Sequence, residues 1–262
     1  MNAIIMAAVL SAQQFHYGHF LEGAETTVFE AGSPLLADSS VGASRIAELP
    51  AGLPVSILEP GGDWCRVEAG SGSYRFAGAG ATGWVESEDL ALVSLMTSDG
   101  LLQLGITGYG ETGQPEGEAR LFVEDGSLLS CPVEIWRFSE EGRLHYCVDA
   151  SEVPSEGLSG VETAFVLSFI YEACGYLNSD ILMIATTGEL VQGPEAASVS
   201  EAGIFRHSSA LVLPPELGED DVVEVSTRHT EWIEEGDSLV TSLDETSFTR
   251  YGWNGRFFEL EP

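Results

Sequence analysis

Residues 26–92 read TTVFEAGSPLLADSSVGASRIAELPAGLPVSILEPGGDWCRVEAGSGSYRFAGAGATGWVESEDLAL. Short apolar runs alternate with glycine, proline, serine and aspartate, the pattern of strands joined by tight turns. The runs predict strands over Thr26–Phe29, Arg45–Leu49, Pro54–Leu58, Trp64–Ala69 and Thr82–Val85. Pro50 to Gly52 supplies one turn and Gly61-Gly62-Asp63 another, while Gly70–Ala81 is longer than a hairpin needs and reads as a loop insertion.

The same punctuation continues to the carboxyl terminus. Leu101–Ile106 and Glu118–Val123 read as strands, followed by a hairpin of CPVEIWRF and LHYCV turning at Ser139–Gly142. Gly160–Leu177 is apolar on nearly every side. It fits one buried helix or two buried strands broken near Glu172 to Gly175, and its aromatic and β-branched content favours strands. Asp180–Thr186 and Glu189–Gln192 form a hairpin across Thr187-Gly188; Ala210–Leu213, Val222–Ser226, Ser247–Tyr251 and Arg256–Leu260 complete the series. Asn254-Gly255 is the strongest hairpin signal, because both residues tolerate positive φ, and it predicts Trp253 and Phe257 flanking the turn. No repeat of 20–50 residues is evident, which disfavours a propeller or solenoid. The fold class is therefore mostly β: a small barrel over residues 24–92 and a second β-rich domain, sandwich or barrel-like, over 93–262.

The order of signals in 26–92 resembles a bacterial SH3 (SH3b) domain: apolar strand, small polar loop, Leu-Pro-x-Gly turn, Val/Ile/Leu strand, Gly-Asp-Trp turn and closing Gly-Trp-Val strand. The resemblance implies a barrel that binds, with cell-wall peptide or a protein as its ligand. Positions matching Trp64 and Trp84 are core or rim aromatics in such domains. The loop Gly70–Ala81 departs from the compact pattern and carries Tyr74, Arg75 and Phe76 between glycines, which leave the two rings little to pack against. Aromatics on a groove give contact area at low entropic cost, and Arg75 suits a ligand carboxylate. The expected ligand-binding set is Tyr74, Arg75, Phe76, Trp64 and Trp84. The terminal Trp-Asn-Gly hairpin also looks like the end of secreted bacterial proteins that place an SH3b-like module before an uncharacterised β domain.

With 262 residues, 44% of them hydrophobic, the chain is long enough for two cores, so its net charge of −32 coats folded surface. All ten basic residues are arginine. Nucleic acid and anionic lipid are recognised through clustered Lys and Arg, so neither is an expected partner; amines on peptides, basic proteins and divalent ions remain compatible. The acidity fits plain solubility or high-salt adaptation, where charge repulsion is screened within ~3 Å at 1 M. MNAIIMAAVLSA, residues 1–12, is a candidate signal peptide cut after Ala12 that lacks a positive n-region; a downstream true start or an apolar first element would account for the same residues. No other stretch approaches the ~18 apolar residues of a membrane span. The expected location is secreted or periplasmic.

Cys65, Cys131, Cys147 and Cys174 are widely spaced, with no Cys-x-x-Cys pair to suggest zinc or redox chemistry. In an oxidising compartment Cys131 and Cys147, flanking the predicted hairpin, are the candidate disulfide; the alternative is four buried thiols. A cysteine hydrolase would need Cys174 and His207, but Cys174 sits in an apolar run beside Glu172, where a thiolate is disfavoured. His207 reads as a surface residue beside Arg206. His16 and His19 have metal-ligand spacing in an amino-terminal stretch, no Gly-x-Ser-x-Gly elbow occurs, and Gly78-Ala-Gly-Ala lacks the lysine of a phosphate loop. Carboxylate pairs such as Glu140-Glu141 and Asp220-Asp221 are too common among 42 acids to nominate an acid and base, and no calcium-loop spacing occurs. The reading is a non-catalytic binding protein without cofactor or metal. Its rivals are a hydrolase whose carboxyl-terminal domain is catalytic, and a spacer whose groove is blocked.

Overall fold

Buried side chains alternate with outward ones along Pro54–Glu59, Trp64–Ala69 and Thr82–Glu86, as a sheet with one face on a core requires. The computed structural model describes residues 15–16, 19–70, 79–111, 115–134, 147–171, 174–235 and 238–262. They belong to two compact units, Met1–Ala150 and Ser151–Pro262.

The first unit opens with a short hairpin, β1 (Phe15–His16) and β2 (His19–Phe20). Six strands then form one antiparallel sheet: β3 (Glu25–Thr27), β4 (Ser33–Leu36), β5 (Arg45–Leu49), β6 (Pro54–Glu59), β7 (Trp64–Ala69) and β8 (Thr82–Glu86), in the order β3-β6-β7-β8-β4-β5. Of these, β4 was not legible as a strand in the sequence. Leu35, Leu49, Val55, Ile57, Cys65, Val67 and Val85 are its buried, inward-facing side chains. Gly83 is needed where β8 passes β4, since a Cβ there would lie 2.6 Å from the Leu36 carbonyl oxygen. A single 3-10 turn, Ser87–Asp89, ends the sheet.

The chain continues without a linker into a second, four-stranded antiparallel sheet: β9 (Val93–Met96), β10 (Gly100–Tyr109), β11 (Pro115–Val123) and β12 (Leu128–Glu134). Both sheets belong to the unit that ends at Ala150. Buried polar contacts tie the two sheets. The Gln103 amide nitrogen donates to the Val28 carbonyl (3.0 Å) and to the Thr27 hydroxyl; Thr27 and Ser94 hydroxyls are 2.5 Å apart, and Thr26 donates to the Ala91 carbonyl at 2.7 Å. On the far side, Arg120 lies 3.9 Å over the Phe29 ring and donates to the Phe29 carbonyl at 2.8 Å. These contacts pack the six-stranded sheet and the four-stranded sheet together within the first unit.

A strand labelled β13 (Cys147–Val153) spans the division. The second unit is a consecutive antiparallel meander of β14 (Val161–Ile170), β15 (Asn178–Thr186), β16 (Glu189–Glu201), β17 (Phe205–Val212), β18 (Val222–Glu235), β19 (Ser238–Trp253) and β20 (Phe258–Leu260), with one helical turn, α1 (Pro214–Leu217), between β17 and β18. Leu158, Ala164, Leu182, Ile184, Leu213, Val223 and Trp253 form its core cluster. One corner is fixed by polar contacts. Asp221, at φ 57°, accepts hydrogen bonds from the Ser159 amide and hydroxyl, and the Trp253 indole donates to the Ser159 carbonyl at 2.9 Å.

Three local expectations change. Among the described residues Gly160–Leu177 holds one strand, β14, and β15 begins just after it, at Asn178. The β18 and β19 strands run far beyond Val222–Ser226 and Ser247–Tyr251, as a ribbon exposed along its outer half. Finally, Trp253 pairs with Phe258, leaving a four-residue turn in which the Asn254 side-chain oxygen accepts from the Arg256 and Phe257 amides; Phe257 is exposed.

Packing of the two sheets of the first unit is tight at Gly105, where a Cβ would lie 2.3 Å from the Phe29 ring; at Gly108, on the same strand, nothing lies within 4 Å. Gly105→Ala is expected to destabilise the unit by about 1–3 kcal/mol in urea unfolding. Gly108→Ala should be close to neutral. Equal effects would contradict the packing.

Candidate functional site

The hairpin of β7 and β8 has a buried face and an exposed one. Cys65, Val67 and Ala69 on β7 are fully buried, as is Val85 on β8, so Trp64, Arg66, Thr82, Trp84 and Glu86 point outward. In register, Trp64 lies opposite Glu86 and Arg66 opposite Trp84. The two tryptophans are therefore diagonal neighbours on one face, the arrangement in which cross-strand aromatics come within reach of each other. Each is half-buried. The face extends across adjacent strands, because Arg66 lies opposite Glu59 on β6 and Trp84 opposite Leu36 on β4.

Acidic residues flank Trp64, with Asp63 before it in the chain and Glu86 opposite it in register, while the Glu88 carboxylate accepts from the Tyr109 hydroxyl. Asp63, Glu86 and Glu88 are exposed, and the Ser87 amide donates to the Asp63 carbonyl at 2.9 Å, which draws the two turns together. Among the described residues Arg66 makes no ion pair. The face thus combines two aromatic surfaces, a single guanidinium and a rim of carboxylates: it can hold an apolar or planar group and attract an amine.

Of the five residues expected to bind ligand, Trp64 and Trp84 stand together on this face. Tyr74, Arg75 and Phe76 lie outside the described residues. The stems of their loop are fixed: Gly70 donates to the Pro54 carbonyl at 2.9 Å, and Ala69 and Gly80 are joined by a 2.7 Å bond. These stems lie at the end of β7 away from Trp64, about 17 Å along the strand at ~3.3 Å per residue, and closer to Trp84. Arg66 and Glu86 were missed in the sequence, although the two-residue period that faces Trp64 and Trp84 outward places them on the same side.

The family model described as bacterial SH3 domain matches residues 30–91. Residues 30–91 are a bacterial SH3 domain. Further β-rich structure follows it, and β3, which begins before the match, completes its sheet. Comparison with curated proteins and with solved structures gave no match for the chain.

Other sequence candidates are scattered. Cys174 is exposed between β14 and β15, whereas His207 is on β17, its ring 5.9 Å from that of His229. His16 and His19 are backbone partners in the β1–β2 hairpin. Cys131 is on β12, partly exposed, and Cys147 opens β13, buried; the turn expected between them and the segment proposed as a signal peptide lie outside the described residues. Burial raises the Cys65 thiol above its ordinary pKa, which makes it a poor nucleophile and a good core residue. No helix among the described residues is long and apolar enough to cross a membrane.

Asp89 closes the SH3 domain. Its carbonyl accepts from the Phe29 and Glu30 amides at 2.7 and 3.2 Å. Burial pushes its carboxyl up to about 6, against a hydrogen bond from Ser33, and the charges of Glu86, Glu30 and Glu88 add to the rise. A carboxyl whose folded pKa is raised holds its proton more tightly when folded. Its contribution favours the fold below the unfolded value of about 3.9 and is lost as pH rises through about 6. Asp89→Asn should therefore gain stability over the wild type as pH rises from 4 to 7. A stability difference that is flat across this range, measured by urea unfolding, would contradict the assignment.

Proposed function

We propose that this protein is a non-catalytic, extracytoplasmic binding protein whose SH3 domain recognises cell-wall peptide, or a protein segment of like chemistry, through the outer face of β7 and β8. The observation that carries the reading is the pairing of Trp64 and Trp84 with Arg66 inside an acidic rim, on a domain class that commonly binds cell walls. Bacterial SH3 domains are often extracellular, which supports a secreted or periplasmic location. Trp64 and Trp84 supply contact area, the carboxylates of Asp63, Glu86 and Glu88 draw in a peptide amine, and Arg66 takes a carboxylate. Tyr74, Arg75 and Phe76 extend the contact from the loop end of the hairpin. A net charge of −32 favours amine-bearing ligands and opposes polyanions at long range.

The test is retention of the purified chain on isolated peptidoglycan sacculi. Deleting the SH3 domain is a poor control, since Gln103 and Ser94 would lose buried partners. Point variants are better. The Trp64→Ala, Trp84→Ala double variant should lose about 2 kcal/mol or more of binding, roughly a thirtyfold drop, with an unchanged circular dichroism spectrum. Tyr74→Ala with Phe76→Ala should weaken retention in the same direction. Absence of wild-type retention, or retention indifferent to both pairs, would contradict the proposal.

A further inference from the structure

The ribbon of β17, β18 and β19 carries a groove of about 380 Å³ on one face, within the second unit. The strand register builds it row by row. Arg206 lies opposite Thr230, which lies opposite Asp244; Ser208 lies opposite Arg228; and Trp232 lies opposite Thr241. A register shift between Glu231 and Trp232 interrupts the ladder there, and the Trp232 amide donates to the Ile204 carbonyl at 2.9 Å. Such an irregularity re-aims a side chain, and Trp232 lines the groove.

The charges are not equivalent. Arg228 is held by Asp244 through two bonds, of 2.8 and 2.6 Å, and Thr230 donates to the same carboxylate at 3.3 Å. That pair is internally neutral, and its geometry is fixed. Arg206 is exposed and makes no ion pair or side-chain hydrogen bond among the described residues. Among the described residues Arg66, Arg206 and Arg256 make no ion pair, and of these Arg206 lines this groove together with an indole. The fork of donors on Arg206 suits a carboxylate.

We propose that this groove binds a saccharide that bears a carboxylate. Trp232 offers an aromatic face to the apolar side of a sugar ring, and Arg206 pairs with the carboxylate. Ser208, Thr230 and Thr241 offer hydroxyls, and Asp244, already oriented by Arg228, offers an acceptor to ring hydroxyls. A peptide is a poorer match: the lining has one aromatic and no apolar recess for side chains. A polyphosphate is opposed by the acidic surface, whereas repulsion of a single carboxylate is screened beyond ~8 Å at physiological salt. This site is built from residues of the second unit alone, and the proposal stands or falls independently of wall-peptide recognition.

The test is titration of the full-length chain, followed by nitrogen-15 amide and indole shifts, with glucuronate, galacturonate, N-acetylneuraminate and N-acetylmuramate. Their neutral counterparts and a carboxylated tripeptide serve as comparisons. At least one acidic sugar is expected to shift the Trp232 indole and the amides of Arg206 and Thr230, binding about tenfold or more tightly than its neutral counterpart. Arg206→Gln should erase that preference while the residual sugar response remains; Trp232→Ala should weaken acidic and neutral sugars alike. The proposal is overturned if no acidic sugar shifts these signals, if Arg206→Gln keeps the preference, or if the tripeptide binds and the sugars do not.

Discussion

Gln103 is the polar side chain on which the amino-terminal half depends. It is fully buried on β10, and its amide nitrogen reaches back to Val28 and Thr27 at the edge of the SH3 domain. A buried donor in this position must be matched, since leaving the Val28 carbonyl without it would cost about 1–3 kcal/mol. Together with Thr26, Thr27 and Ser94 it fixes the register at which the four-stranded sheet meets β3. Apolar contact alone would allow these sheets to slide; a buried hydrogen-bond set admits one arrangement. Phe29 adds the steric half of the constraint, with Gly105 beneath its ring and Arg120 above it. The SH3 domain is thereby packed against the four-stranded sheet, and the outer face of β7 and β8 stays exposed or half-exposed.

The recognition proposed for the two tryptophans would come without loss of core. Val67 and Val85 fill the interior between them, so Trp64 and Trp84 are available as half-buried platforms. The acidic rim then selects what approaches. Asp63, Glu86 and Glu88 favour a cationic group at close range, and the −32 net charge of the chain acts in the same sense at longer range where salt is low. On the ribbon of the second unit the local arrangement is reversed, with an unpaired arginine beside an indole. The two proposed sites thus differ in local polarity, the first proposed for an amine and the second for a carboxylate.

The SH3 signals were legible because each strand of that domain has one buried face. Alternation at Pro54–Leu58, Trp64–Ala69 and Thr82–Val85 located three strands within a residue of their ends. Ser33–Leu36 was missed, since Pro34 and two adjacent leucines give no alternation. The outer halves of β18 and β19 were missed for a different reason. Arg228 to Glu235 and Ser238 to Thr246 are exposed or half-exposed, held by ladder bonds and cross-strand pairs such as Arg228 with Asp244, so no apolar period marks them. The groove was invisible for the same reason: it depends on which polar residues the register brings opposite one another. The packing across Leu92 was not legible because Gln103 looks like any surface glutamine in sequence, while its partners lie some 75 residues earlier.

Native-state hydrogen exchange on the intact chain tests that structural claim most directly. If the SH3 domain and the four-stranded sheet are one cooperative body, the slowest amides of β7 and β8 and those of β10 and β11 should open with the same free energy, and Gln103→Ala should lower both together. Two distinct opening free energies, with only the β10 and β11 amides responding to Gln103→Ala, would instead make the SH3 domain an independent module.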